Sequence, residues 1–339
     1  MSDMVRRKAE HLDVVLTQNV NTGQTTGLEA VRFEHAALPE LHLDAIDLSA
    51  QFLGRRLNAP FLISSMTGGP EKAKFINENL ARAAGQLGIA FAVGSQRVAV
   101  EGGGASGFGP ELRRLMGDMP LLSNFGAAQL RRDDAADMAR RMVDMIGADA
   151  LIIHLNPLQE AVQHGGDRDW SGLLARLEGV VGAMQVPVIV KEVGSGISGR
   201  LAKRLFDAGV RIIDVAGAGG TSWAAVEGAR APNERLRAVA ETFRDWGIPT
   251  ARAILDVRAA CADAVLIASG GIRTGLDAAK AIRLGADIVG QAAGVLPAAL
   301  SSADAVIAHF EDRITELRIA CFCTASRTLQ DLRQAPLLN

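Results

Sequence analysis

Short, continuously apolar runs alternate along this chain with longer segments in which apolar positions recur every three or four residues. The runs predict strands at 59–64 (APFLIS), 89–93 (IAFAV), 120–124 (PLLSN) and 149–154 (DALIIH). Four more follow at 187–192 (PVIVKE), 211–216 (RIIDVA), 263–269 (DAVLIAS) and 286–291 (ADIVGQ). Between them, EKAKFINENLARAAGQLG, DDAADMARRMVDMIG, SGRLAKRLFDAG and GLDAAKAIRLG carry the period of amphipathic helices. The last two end in glycine with a strand immediately after, a usual helix stop. Strands that are apolar throughout, rather than at alternate positions, are buried on both faces and belong to a parallel sheet.

Eight such alternations predict an α/β fold, a (β/α)8 TIM barrel over residues 59–339. Residues 1–58 precede it as an N-terminal extension within a single domain. A doubly wound open sheet is the competing architecture, but no GxGxxG follows the first strand. The stretch GGGASGFG (102–109) has the composition of a mobile loop, and no internal linker divides the chain.

Composition narrows the setting. A formal net charge of -2 over 339 residues argues against a nucleic-acid surface. Three cysteines (Cys261, Cys321, Cys323) cannot build a framework of paired disulfides, which suits a reducing cytoplasm, and Cys321-x-Cys323 lacks a second pair at zinc spacing. The N-terminus has no apolar core of a secretory signal. The most apolar window, 286–300, is too short to span a bilayer and contains Gln291 and Pro297.

A barrel places its chemistry where its strands end. Here the ends read Ser64-Ser65-Met66-Thr67-Gly68-Gly69, then Gly94-Ser95-Gln96-Arg97, Asn124-Phe125-Gly126, and His154 with Asn156, Gln159 and Glu160. Next come Lys191-Glu192 with GSG (194–196), GAGGTSW (217–223), SGGIR (269–273) and GQAAG (290–294). Glycine-rich turns after the seventh and eighth strands, opening into helices, match the phosphate site common in such barrels, with Arg273 placed to add a charged contact. Lys191, delivered by an apolar strand, has three roles open to it: Schiff-base nucleophile, partner of Glu192, or cation beside an electron-rich cofactor. Taken with the phosphate turns and with Asn124, Ser95 and Thr67 as hydrogen-bonding groups, the third role makes FMN the leading cofactor.

LIIHLNPLQEAVQ (151–163) changes from buried strand to polar cluster within a few positions. His154 at a strand end and Glu160 as a helix N-terminal charge have an ordinary structural reading. Equally, an imidazole, two amides and a carboxylate within seven positions suit a ligand held at the barrel mouth. Arg6-Arg7-Lys8 is by itself a solvated basic patch; ahead of a barrel it can fold over the mouth as a lid, with His11 beside it.

Taken in order, RRKAEHLD (6–13), SSMTGG (64–69), VGSQR (93–97), NFGAAQL (124–130), HLNPLQE (154–160), VKEVGSGIS (190–198), AGAGGTSW (216–223) and SGGIRTGLDAAKAIRLGAD (269–287) resemble the type 2 isopentenyl-diphosphate isomerases over essentially the whole chain. The combination of MTGG, HLNxxQE and GAGGTSW is specific, although each alone is weak. One departure is Phe125, where an aliphatic residue is expected; it is anticipated to alter packing beside the flavin.

The resemblance implies interconversion of isopentenyl and dimethylallyl diphosphate with FMN, NADPH as its reductant, and magnesium. It implies flavin binding by Met66, Thr67, Gly68, Ser95, Asn124, Lys191 and Thr221, with the flavin phosphate on Gly271, Ile272, Arg273, Ala293 and Gly294. Arg7, Lys8, Arg97, His154, Asn156 and Gln159 are expected to cradle the substrate diphosphate, with Glu160 on the metal and His154 and Gln159 able to relay protons. The reduced flavin itself is expected to act as the acid–base group. A homo-oligomer, tetramer or octamer, is expected. The rival activity is an FMN oxidoreductase of the 2-hydroxy-acid oxidase type, which needs a histidine near the end of the seventh strand; none lies between His164 and His309. A dehydrogenase with a cysteine nucleophile after the sixth strand finds no cysteine in GAGGTSWAAVE. A non-enzymatic flavin-binding role leaves the 154–160 cluster without a purpose.

Overall fold

The computed structural model describes residues 3–65, 71–101 and 107–338. Each of the eight apolar runs is a parallel strand, and together they close into a barrel. After a hairpin of β1 (Ala50–Phe52) and β2 (Arg55–Leu57), the staves are β3 (Phe61–Ile63), β4 (Ala90–Ala92), β5 (Leu121–Gly126) and β6 (Ala150–Leu155). They continue with β7 (Val188–Glu192), β8 (Ile212–Asp214), β9 (Val265–Ala268) and β10 (Ile288–Gln291), which pairs back onto β3. The architecture is a (β/α)8 barrel.

Strand alternation splits the buried residues into two layers. Leu62, Ala92, Leu122, Ile152, Ile189, Ile212, Ile267 and Ile288 fill the barrel interior. Phe61, Ile63, Phe91, Leu121, Leu151, Ile153, Val190 and Leu266 face outward into the helices. The hairpin stoppers the barrel at the strand N-termini: Phe52 and Leu57 join the interior cluster. Its turn uses positive φ at both Leu53 (50°) and Gly54 (73°), the handedness that suits a two-residue hairpin.

Phe125 corrects an expectation. Asn124 lines the mouth of the barrel, so its neighbour points the other way, fully buried between β5 and the outer helices. It packs the scaffold and does not line the cavity. Phe125→Ala is expected to cost about 3–5 kcal/mol of stability through the cavity it leaves, with flavin affinity unchanged. Denaturant unfolding and a flavin titration of the same preparation check both halves.

The N-terminal extension is woven into the top of the barrel. Its helix, Asp3–Thr17, buries Val14 against Ala225 and Val226 of the helix Trp223–Ala229. The chain then runs alongside the loop after β8: Thr22 N–H donates to Gly220 O (2.9 Å), and Ser222 N–H donates to Val20 O (2.8 Å). Among the described residues no helix is long and apolar enough to cross a membrane.

Candidate functional site

A cavity of about 1020 Å³ opens where the strands end, with the N-terminal helix across its rim. All but three of the residues singled out above line it. Arg7, Lys8, Ser95, Arg97, Asn124, His154, Asn156, Gln159, Glu160, Lys191, Thr221, Gly271, Ile272, Arg273, Ala293 and Gly294 all line this one cavity. Met66, Thr67 and Gly68 lie outside the described residues.

Register sets the centre of the site. His154 on β6 pairs with Lys191 on β7, which pairs with Asp214 on β8, so three ionisable groups stand side by side around the interior. Asn124 fixes the chemistry of the first. Its Nδ2 donates to Ser65 Oγ (2.7 Å), which turns Oδ1 toward His154 Nδ1 (2.7 Å). The imidazole hydrogen therefore sits on Nδ1 and is already used. Burial, with Lys191 and Lys8 adding to it, pushes the His154 pKa down to about 3. At the diphosphate contact expected above, the imidazole would accept at Nε2 until it is protonated. His154 is neutral at pH 7 with a lone pair on Nε2, and it becomes a donor there only by gaining a proton.

Lys191 donates to the backbone carbonyl of Glu192 (2.6 Å), not to its carboxylate. That carboxylate is occupied: Oε2 accepts the N–H groups of Val193 (2.6 Å), Gly194 (2.7 Å), Gly196 (3.2 Å) and Ser195. Burial pushes the Glu192 carboxyl up, while those backbone donors pull against it. The ion pair with Glu192 considered from sequence is thus replaced by a loop template, and the Lys191 ammonium stays at the cavity wall. Burial likewise raises Asp214, which accepts from Ser269 Oγ (2.6 Å).

Beyond β6 the chain turns sharply into the helix Pro157–Val162, with Asn156 as its N-cap. The i, i+3, i+4 spacing then brings Asn156, Gln159 and Glu160 together. Asn156 Nδ2 donates to Gln159 Oε1 and Glu160 Oε1 (3.1 Å each). Glu160 Oε2 accepts from Gln163 Nε2 (3.2 Å) and Asp167 N–H (2.8 Å). Asn156 Oδ1 is buried with no partner. Above them, Lys8 Nζ donates to Ser95 O (2.7 Å); burial, then Arg7 and Arg97, depress its pKa to about 7. Arg97 is held by Glu101 (2.9 Å) and Asp167 (3.6 Å).

Opposite, the loops after β8 and β9 interlock backbone to backbone. A Cβ on Gly220 would stand 2.7 Å from Gly271 N, and one on Gly271 (φ +71°) would stand 2.4 Å from Gly219 O. Only glycine allows that approach. Arg273 N–H is spent on Asp277 in the cap of the helix Gly275–Arg283, so Arg273 offers the cavity its exposed side chain. Nearby, Ser64 Oγ and Gln291 Nε2 line the cavity as buried polar atoms without partners. Orphaned polar atoms, a backbone cradle and a lysine at the rim fit a flavin nucleotide. For magnesium the fit is narrower. No group of three or more His, Cys, Asp or Glu stands ready among the described residues. Glu160 and the free Asn156 Oδ1 supply hard oxygens, so a diphosphate must complete the shell, as is common for this ion.

Glu227 went unnoticed in the sequence. It is 3% exposed, accepts from Gln159 Nε2 (2.9 Å), and meets His11 Nε2 (2.8 Å) and Arg230 (2.6 Å). His11, Gln159 and Arg230 hold its carboxyl below the usual range against the opposing effect of burial. One carboxylate in the run AAVEGAR carries no local signal; only the fold brings it behind Gln159. His309 is similar, reaching Gln291 (2.8 Å) from the helix Ala303–Cys323.

Residues 154–338 match the FMN-dependent dehydrogenase family. Among solved structures, a mandelate oxidase with (S)-2-phenylpropionate superposes with a TM-score of 0.68 at 19% identity, covering 99% of this chain and 97% of that one. This likeness concerns the fold alone. The isopentenyl-diphosphate delta-isomerase of Stutzerimonas stutzeri (strain A1501) is 62% identical over 337 residues, 99% of this chain and 97% of the relative. Its counterpart from Synechocystis sp. (strain ATCC 27184 / PCC 6803 / Kazusa) is 50% identical over 338 residues, 99% and 97% of the two chains. On fold, cavity and full-length identity together, the chain belongs to the isopentenyl-diphosphate delta-isomerase family, within the FMN-dependent dehydrogenases.

Proposed function

We propose that this enzyme interconverts isopentenyl diphosphate and dimethylallyl diphosphate, with FMN reduced by NADPH and with Mg²⁺ on the diphosphate. The observation that carries the reading is the polar wall of Lys8, His154, Asn156, Gln159 and Glu160, facing the glycine cradle across one cavity. Bound and reduced, the flavin would supply an electron-rich ring able to exchange a proton with the alkene. The chain's own groups do the rest. Arg7, Lys8 and Arg97 neutralise the diphosphate, Asn156 and Glu160 hold the metal, and the helix at the rim excludes water. Gln159, backed by Glu227, orients the hydrocarbon end without adding a charge to the cavity. The 2-hydroxy-acid oxidase alternative finds Ser269-Gly270-Gly271-Ile272-Arg273 after β9, with no histidine to abstract an α-proton.

Incubation of holoenzyme with isopentenyl diphosphate, Mg²⁺ and NADPH without air tests the proposal. Dimethylallyl diphosphate is the expected product. Its absence, together with bleaching of the oxidised flavin by mandelate, would replace the isomerase with an oxidase.

Protonation gives a second check. Lys8 is depressed to about 7, so at pH 8 it is mostly neutral until a diphosphate arrives and restores its charge. Isopentenyl diphosphate should therefore bind at pH 8 with uptake of about one proton, read from the buffer dependence of the calorimetric enthalpy. At pH 6 the Lys8 share vanishes, because the group is already charged. Lys8→Met should remove the uptake at pH 8.

A further inference from the structure

We propose that Arg230 is a positioning residue that sets the N-terminal helix in register over the cavity. It caps the helix Trp223–Ala229, outside the cavity wall, and its planar fork joins two carboxylates on different elements. Nε and Nη2 donate to Glu10 Oε2 on the N-terminal helix (3.1 and 2.7 Å), while Nη1 donates to Glu227 Oε2 (2.6 Å). His11 Nε2 donates to the other oxygen of Glu227 (2.8 Å); its contact with Arg230 Nη1 at 3.1 Å is one of neighbours, since its hydrogen is already used. The Arg230 side chain is 14% exposed and that of Glu227 is 2% exposed, so solvent screens this arm far less than an ordinary surface pair, while Glu10 on the other arm is half-exposed.

The spacing gives the junction its consequence. Glu10 and His11 follow Arg7 and Lys8 by three residues, so each pair shares a face of the helix. Clamping the later two fixes both the rotation and the axial position of the earlier two, which line the cavity. The same Glu227 accepts from Gln159, so one guanidinium ties the helix over the mouth to the polar helix at its wall. Arginine is required because a lysine ammonium cannot span both carboxylates as a fork does. Val14 anchors the C-terminal half of the N-terminal helix, and the turn that carries Arg7 and Lys8 is held by this network together with the Lys8 Nζ bond to Ser95 O (2.7 Å).

The role rests on the diphosphate reading in so far as Arg7 and Lys8 meet substrate there; the exchange measurement below does not. Holoenzyme carrying Arg230→Gln should show amide exchange over residues 6–17 faster by about tenfold, and a KM for isopentenyl diphosphate higher by about tenfold, with flavin affinity unchanged. Arg230→Lys should fall between this variant and the parent. Exchange and KM both at the parent level would overturn the proposal. So would a loss confined to kcat with parent exchange, which would assign Arg230 to the charge of Glu227 alone. If Arg230→Gln does not fold, Glu10→Gln removes the other arm at a half-exposed position; it should quicken exchange in the same direction, and parent exchange in that variant would refute the clamp. Should the parent enzyme form no isomer, the isomerase reading fails while the exchange result still decides the clamp.

Discussion

Glu160→Gln should lower kcat/KM for isopentenyl diphosphate by about a thousandfold while leaving FMN bound, the loss expected when a divalent ion loses its one protein carboxylate. The size follows from the surroundings. Glu160 is the carboxylate of the polar wall, and its neighbours Asn156, Gln163 and the Asp167 backbone present donors to it. Glutamine keeps the shape but removes the charge that would offset Mg²⁺, and its own amide hydrogens then face those donors. The Mg²⁺ dependence should flatten as activity falls. A variant with parent activity and parent Mg²⁺ response would move the metal elsewhere.

Lys191→Met should cost about a hundredfold or more in kcat, the scale of losing one preorganised charge at a reacting centre. The side chain is 7% exposed and stands in register between His154 and Asp214. Removing the ammonium takes away positive charge from the place where a reduced, anionic flavin would be stabilised. The flavin's reduction potential should therefore fall, an effect readable without any turnover. The His154 pKa should rise as well, since Lys191 is one of the charges depressing it. An unchanged potential in a properly folded variant would show that Lys191 does not face the ring.

The barrel was legible because its signal is repeated. All eight apolar runs became strands, within a few residues of their predicted ends, since a strand buried on both faces can hardly be written any other way. The extension was harder. DMVRRKAEHLDVVLT is no richer in apolar residues than the chain as a whole, and its helix is defined largely by what it lands on: Ala225, Val226 and the Arg230 junction. The hairpin strands are three residues each, too short to show a period, and only the open end of the barrel gives Phe52 and Leu57 a purpose.

Site residues divide along the same line. Those at strand ends could be read in sequence because the barrel fixes where its strands point. Glu227 and His309 act from helices behind the wall, where one ionisable residue looks like any other until the fold supplies its partner. The direction of Phe125 could have been read, since a strand side chain beside Asn124 must point away from the cavity. Protonation could not: His154 is a neutral acceptor because of Asn124, Ser65 and two lysines brought together from four other parts of the chain.

In the proposed reaction a redox cofactor would serve without net oxidation. The direct test counts dimethylallyl diphosphate formed against NADPH consumed, without air, at limiting NADPH. Many product molecules are expected for each NADPH, with the flavin spectrum remaining that of the reduced form. One product or fewer per NADPH, with the flavin reoxidised at each turnover, would contradict it.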